Sequence, residues 1–370
     1  MRFLAAAGGL GLLAAIFWDA FETVLQPRRV SGAFRLARDL QFLIWRMWSA
    51  LARGAPTRRK REDILSPFAM LTMLALFAVW ALGLMVGFAL LHWALGSAVD
   101  DPAHLTRGFL SDLYLSGSTL FTLGLGDVSP ATVPGRFLVV VECGMGLGFL
   151  ALVIAYLPVL YGAFSRREAR IVMLDEWAGS PPSPAMLLKR LAETGEVREI
   201  TRLLRDWEQW SAELLESHLS YSILAYFRSQ HDNQSWLAAL TSVLDTCALV
   251  LAGIEGIPTL QARLTFAVAR HAVVDLCQVM RARPTHDGPD RLPDEDLAKL
   301  RALLVAAGLK PFEGTVADHQ LAELRGMYEP YVRSLSKHLL MELPGWLPPE
   351  KRRFNWETTA WARTGRDEVH

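Results

Sequence analysis

The chain has 370 residues, and its 38 Lys and Arg are balanced by 38 Asp and Glu. Zero net charge excludes a global field that draws the chain to nucleic acid, while 52% hydrophobic residues and a mean hydropathy of +0.22 are high for a soluble protein. The apolar residues crowd into the first 165 positions, so a membrane part is expected to precede a soluble part. Three cysteines, Cys143, Cys247 and Cys277, lie far apart with no C-x-x-C pair and read as buried thiols in a reducing compartment.

A bilayer span takes about 20 apolar residues. The first candidate, Phe3 to Leu25, ends in "FWDAFETVL" and carries Asp19 and Glu22 in its last two turns. It lacks a basic leader beyond Arg2 and an A-x-A-like site, so a retained helix is expected rather than a signal peptide. Asp19 and Glu22 lie at i and i+3 close to Arg28 and Arg29, which predicts an interfacial ion-pair cluster, with a proton or ion relay as the alternative. Residues 31–54 mix arginines with Phe, Leu, Ile and Trp. Such a helix lies in the headgroup region or packs on a cytoplasmic element, and both readings stay open. "TRRKRED" at 57–63 reads as the basic flank of the next span, and anionic lipid is the expected partner of residues 28–61.

Phe68 to Leu95 is the strongest span and carries no formal charge. Phe137 to Phe164 is another and holds one acid, Glu142. Arginine and lysine fill residues 26–66 and recur at Arg166, Arg167 and Arg170, whereas the 96–110 loop has only Arg107. The positive-inside rule then predicts three spans, with residues 26–66 and everything after 165 in the cytoplasm.

Between the last two spans lies "STLFTLGLGDVSP", residues 118–130. It is too rich in glycine for a helix and too apolar for a surface turn. Irregular backbone at membrane depth is tolerated only where it is buried in protein or lines a water-filled path. Gly-x-Gly allows alternating handedness, so an extended strand can turn its carbonyls to one side. Four copies around an axis make stacked oxygen rings that replace the water shell of a cation. On this reading Thr122, Leu123, Gly124, Leu125 and Gly126 form the coordinating strand, and Thr122 adds a hydroxyl ring. Leu123 and Leu125 pack behind it, and Asp127 holds its outer end. "LSDLYLSGSTLF" before it predicts a short helix with Ser111 or Asp112 as N-cap, its C-terminal carbonyls aimed at the cation path.

Here the sequence resembles potassium channels with two helices around a re-entrant pore loop. "TLGLGD", Thr122 to Asp127, matches the filter pattern T-x-G-[YFL]-G-D, and the likeness extends through the preceding helix to "PGRF" at the last span. It covers about residues 65–165 and departs at Leu125, where most members have tyrosine, and at Phe121, where many have threonine. The resemblance implies a bacterial-type, homotetrameric, potassium-selective channel in the plasma membrane. K+ is then the permeant ion, and no cofactor or resident metal is expected.

In the last span, Gly144, Gly146 and Gly148 mimic a dinucleotide fingerprint, but no strand precedes them. Gly146 aligns with the family's hinge glycine, and Pro158 removes a backbone hydrogen bond one turn before the exit, so a gating hinge and kink are expected there, with close packing as the competing reading. Glu142, an acid inside a span, is expected to support the filter from behind, bonded to Ser116, Ser118 or pore-helix backbone, with an acid facing the outer vestibule as the alternative.

Beyond residue 165 helical spacing dominates, broken by "SPPSP", "GIEGIP", "RPTHDGPDRLP" and "GLKPFEG", which predicts about five helices over 195–345. Trp236 to Ile254 is apolar enough to span, but Asp245 with Thr241, Ser242 and Thr246 favours a buried core helix. His218, Tyr221, Tyr226 and His231, and the i, i+4 pair His271 and Asp275, can bind a metal or titrate near neutrality; core packing is the ordinary alternative.

The expected protein is therefore an all-α membrane protein and not an enzyme. Its parts are an N-terminal membrane helix (1–30), a basic amphipathic segment (31–66), a pore module (67–165), a cytoplasmic helical domain (166–347) and a tail (348–370). Within the module an outer helix (67–95), pore helix (111–121), filter (122–127) and inner helix (136–164) follow in order. An unidentified ligand acting on the helical domain is expected to gate the inner helices. A non-selective cation channel, or a non-conducting membrane-anchored sensor or enzyme on the same module, is the alternative.

Overall fold

In the computed structural model, residues 1–24, 36–96, 99–100, 108–195, 198–231 and 233–349 are described. The elements in chain order are α1 (Arg2–Val24), α2 (Leu36–Arg53), α3 (Arg58–Leu65), α4 (Phe68–Ala94), β1 (Val99–Asp100), α5 (Phe109–Leu120), β2 (Ser129–Pro130) and α6 (Val133–Ala178). There follow α7 (Pro184–Glu193), α8 (Glu199–Ser220), a 3-10 turn (Ser222–Tyr226), α9 (Trp236–Gly253), α10 (Thr259–Val279), α11 (Asp294–Ala306), α12 (Thr315–Gly326) and α13 (Glu329–Leu339). The fold is all-α; its two-residue strands only pair Val99 with Pro130 and Asp100 with Ser129. Two compact units divide the chain: Met1–Gly54 with Pro67–Gly162, and Ala55–Ser66 with Ala163–His370.

In the first unit α1 lies along α4, and small residues set the approach. Gly83 and Gly87 make a G-x-x-x-G step on α4. A Cβ on Gly87 would stand 2.8 Å from the Leu13 side chain, and one on Gly83 2.8 Å from Ile16. At the other end of this contact Asp19 is buried, and its carboxylate accepts the Trp80 indole N–H at 2.8 Å and the Ala37 amide at 3.1 Å. The amide belongs to the first turn of α2, where backbone N–H groups lack helical partners and the dipole favours an anion. Asp19 therefore orients a neighbouring helix. The expected ion pairs with Arg28 and Arg29 lie outside the described residues.

Helix α2 packs on the start of α4 through Trp45 and Trp48 against Phe68, at ring distances of 4.7 and 6.1 Å. Leu43, Met47 and Leu51 on its other face are exposed. Helix α5, expected over 111–121, begins earlier than its sequence suggests, with Gly108 at the N-cap, so Ser111 and Asp112 fall inside the first turn as buried residues. Glycine at φ 63° turns the chain into the helix where a side-chain cap was expected.

Four described helical stretches are long and apolar enough to cross a membrane: Arg2–Val24, Arg58–Ala94, Val133–Ala178 and Trp236–Gly253. The last differs in burial, since 83% of its apolar window is covered by protein. In the second unit α9 is packed by α7, α8, α10, α12 and α13. Six helices, α8 to α13, occupy the described part of 195–345 where about five were expected; the short turn at Met327 and Tyr328 divides α12 from α13 without any of the breaks read from the sequence.

Asp245 explains how a carboxylate survives in that core. Arg291 grips both its oxygens, at 3.1 and 2.6 Å, and the Tyr328 hydroxyl donates to the same group. Arg291 also meets Glu329 at 3.3 Å and the Pro344 carbonyl at 2.9 Å, and the Trp346 ring lies beneath its guanidinium. Removing one member of such a buried pair leaves the other charge uncompensated. Arg291→Met is expected to destabilise the second unit by about 3–5 kcal/mol. Asp245→Leu combined with Arg291→Met should recover much of the loss; thermal unfolding of the detergent-solubilised chain measures both.

Candidate functional site

The stretch after α5 has the backbone that a carbonyl-lined strand needs. Thr122, Gly124 and Gly126 take φ of 56°, 57° and 76°, every second residue left-handed. Glycine adopts this at little cost, whereas Thr122 is held there by its surroundings. The amides are turned back on α5: Thr122 N–H donates to Thr119 O at 3.0 Å, and Leu123 and Gly124 both reach Ser118 O, at 2.8 and 3.4 Å. Among the described residues no backbone amide donates to the carbonyls of Thr122, Leu123, Gly124 or Leu125. The strand thus hides its donors and presents its acceptors.

The outer end is tied by a bond that the sequence did not reveal. The Tyr114 hydroxyl on α5 donates to Asp127 Oδ2 at 2.7 Å, closing the segment against the helix that precedes it. Leu123 and Leu125 were expected to pack behind the strand, yet they are 63% and 65% exposed. Among the described residues, then, both side chains are left largely uncovered.

Helix α6 meets the inner end of the strand at Gly146. A Cβ there would lie 2.1 Å from the carbonyl oxygen of Leu120, the last residue of α5. Close approach therefore demands glycine at this point, and α6 runs as one helix through Gly146 and Pro158. Most of the span is uncovered, with only 11% of its apolar window buried, and Val140, Leu147, Ile154 and Tyr161 repeat along one exposed stripe.

Glu142, fully buried, sits behind α5 and is bonded by the Ser116 hydroxyl. Its other oxygen lies 3.2 Å from Nε2 of His92, near the end of α4. His92 escaped the sequence reading because a lone histidine near a span end carries no pattern.

Past Gly162, within the second unit, α6 is held by Arg167. Its guanidinium is buried, donates to Leu224 O at 2.8 Å and Phe227 O at 3.0 Å, pairs with Glu168, and stacks on Phe164. His218 Nδ1–H donates to Leu214 O at 2.8 Å, which leaves Nε2 to accept from Arg167 at 3.2 Å. Burial, reinforced by the Arg167 charge, holds the imidazole well below its ordinary value of 6.5. His218 is thus a neutral packing partner. His271 and Asp275 form an i, i+4 contact of 3.4 Å with the histidine exposed, and Tyr226 bonds His338. Among the described residues no three His, Cys, Asp or Glu side chains gather in a way that holds a metal ion. The basic flank is partly neutralised: Arg58 and Arg61 reach Glu342 at 2.8 and 2.9 Å.

Residues 70–160 match a family described as "Ion channel". The uncharacterized membrane protein YdjJ of Bacillus subtilis (strain 168) is 22% identical over 298 residues, 79% of this chain and 83% of that one. No solved structure matches the chain. With the apolar helices, these likenesses place the chain among membrane proteins, support an ion-channel type for the α4–α6 region and point away from an enzyme.

Two outcomes follow from the packing. Because the folded state keeps His218 neutral, its contribution is complete above pH 6.5 and is lost as pH falls below that value. The loss is at most about 1.4 kcal/mol per pH unit. His218→Gln should flatten this acid limb in thermal unfolding measured against pH. Gly146→Ala should cost about 1–3 kcal/mol by overpacking against Leu120, read as a lower unfolding midpoint.

Proposed function

We propose that the protein is a potassium-selective channel in which four copies each contribute the strand Thr122–Gly126 to a shared filter. The observation that carries this reading is the pairing of left-handed φ at residues 122, 124 and 126 with carbonyls that no described backbone amide occupies. Such oxygens replace a dehydrated cation's water shell. The Thr122 hydroxyl adds a further ring, and the C-terminal end of α5 adds a favourable dipole. One strand cannot enclose an ion, and closed symmetry is the usual way identical chains complete a ring. The exposed Leu123, Leu125 and α6 stripe supply apolar surface for neighbouring copies and lipid.

Asp127 and Glu142 support the filter, through Tyr114 and through Ser116 with His92. Gating acts at the inner ends of α6, by bending near Gly146 and Pro158, under control of the helical second unit; the Arg167 lock on the C-terminal stretch of α6 supports such a linkage. By the charge distribution the second unit lies in the cytoplasm of a plasma membrane, and the basic residues of 28–61 that remain unneutralised meet anionic lipid.

Purified protein in liposomes is expected to carry K+, with a reversal potential in mixed Na+ and K+ near the potassium equilibrium. A reversal potential near zero would instead support a non-selective pore, which the absence of tyrosine at Leu125 permits. Gly124→Ala with Gly126→Ala should reduce flux to background, since a Cβ disfavours φ of 57° and 76°. Flux that survives the double substitution refutes the filter assignment. Native mass measurement in detergent is expected to find four copies.

A further inference from the structure

Three elements meet behind the filter strand in one closed polar group. His92 comes from α4, Ser116 from α5 and Glu142 from α6, and they are 3%, 0% and 0% exposed. Ser116 Oγ lies 2.8 Å from the Met85 carbonyl of α4 and also bonds Glu142 Oε1, while Glu142 Oε2 is 3.2 Å from His92 Nε2. Ser116 stands one helical turn before Leu120, and two residues before the carbonyl that anchors the amides of Leu123 and Gly124. A change in how this group is held acts on the base of the filter.

The proton count decides which bonds the group can make. A serine hydroxyl has one proton to donate and two acceptors before it. With Glu142 as carboxylate, His92 Nε2–H donates to Oε2 and Ser116 donates to Oε1, so the Met85 carbonyl goes without its partner. One proton taken from the aqueous side onto Oε1 reverses the order. The Glu142 hydroxyl then donates to Ser116 Oγ, Ser116 donates to Met85 O, and His92 still donates to Oε2. The chain from α4 through α5 to α6 and back to α4 is then complete, with every proton placed.

We propose that His92, Ser116 and Glu142 form a proton-responsive strut behind the pore helix, whose protonated state holds the filter in its conducting form. His92 is a positioning residue in this device: it touches no ion and acts through Glu142. The carboxyl can be held by the same two partners as the anion or as the acid, so its proton occupancy sets the pattern of bonds. The other titratable or charged groups on the packed elements are few. On α5 Asp112 lies one turn before Ser116, and Tyr114 is engaged with Asp127. Arg136 of α6 donates to Pro130 O at 3.4 Å, and Arg2 of α1 rests beside Gly96, one turn beyond His92.

This inference rests on the channel reading and is tested on the full-length channel in planar bilayers. Mean open time for K+ is expected to be at least about fivefold longer at about pH 5 than at about pH 8. Glu142→Gln carries an amide that donates to Ser116 as the protonated acid does, so it should keep the long acid-type openings at every pH. His92→Gln keeps a donor of similar reach without a titratable ring and should shift the midpoint of the response, which a packing role alone would leave in place. Ser116→Ala severs the chain and should flatten the profile, an independent check if either larger variant fails to assemble. Conduction that is pH-independent in the wild type, or a wild-type profile in Glu142→Gln, overturns the strut while leaving the channel reading intact. Absence of any K+ current in the wild type overturns the channel reading itself.

Discussion

Backbone carbonyls with no hydrogen-bond partner among the described residues, set in an apolar stretch, are the constraint around which the first unit is organised. Such groups are costly unless something polar answers them. Residues 122–125 meet that cost asymmetrically, because the amides of Thr122, Leu123 and Gly124 are absorbed by Ser118 and Thr119 while the oxygens of all four stay unclaimed among the described backbone groups. The left-handed turns at 122, 124 and 126 make the asymmetry possible. Helix α6 keeps Gly146 against Leu120, Tyr114 closes the outer end on Asp127, and Ser116 ties the middle of α5 to Glu142. Each of these contacts fixes α5, and through it the strand of residues 122–126.

Buried charge performs a related task across both units. Asp19 joins α1 to the start of α2 and to Trp80 of α4. Asp245 joins α9 to Arg291 and Tyr328, and Arg167 joins the end of α6 to the carbonyls of Leu224 and Phe227. Desolvating such groups offsets most of their Coulombic gain, so their main effect is on which arrangement is allowed. An apolar helix can slide or rotate against its neighbour at little cost. A carboxylate that must meet one indole and one amide cannot.

Much of this was legible in the residues, and the limits have a common cause. Glycine alternation in "TLGLGD" pointed to the carbonyl strand because backbone handedness is a local property. Glu142 and Asp245 stood out because a charge in an apolar run needs an explanation wherever its partner lies. Ser116 stood among the partners expected for Glu142, but His92, 50 residues from Glu142, and Arg291, 46 from Asp245, were invisible. The N-cap of α5 was misplaced for a different reason. Ser111 and Asp112 have the right side chains, but Gly108 bends the chain into the helix three residues earlier.

The sequence by itself determined the order of apolar and charged segments, the glycine spacing of residues 122–127 and the all-α class, since periodicity, hydropathy and φ preference act over a few residues; Asp245 and its polar neighbours also favoured a core position for α9. Only the tertiary structure decided that Asp19 caps a neighbouring helix. It also decided that Gly146 is required by contact with Leu120, and that His92 belongs to the group with Ser116 and Glu142. These outcomes depend on which distant side chains arrive at the same place, and burial makes each such meeting satisfy a hydrogen bond or a charge that the local chain leaves open.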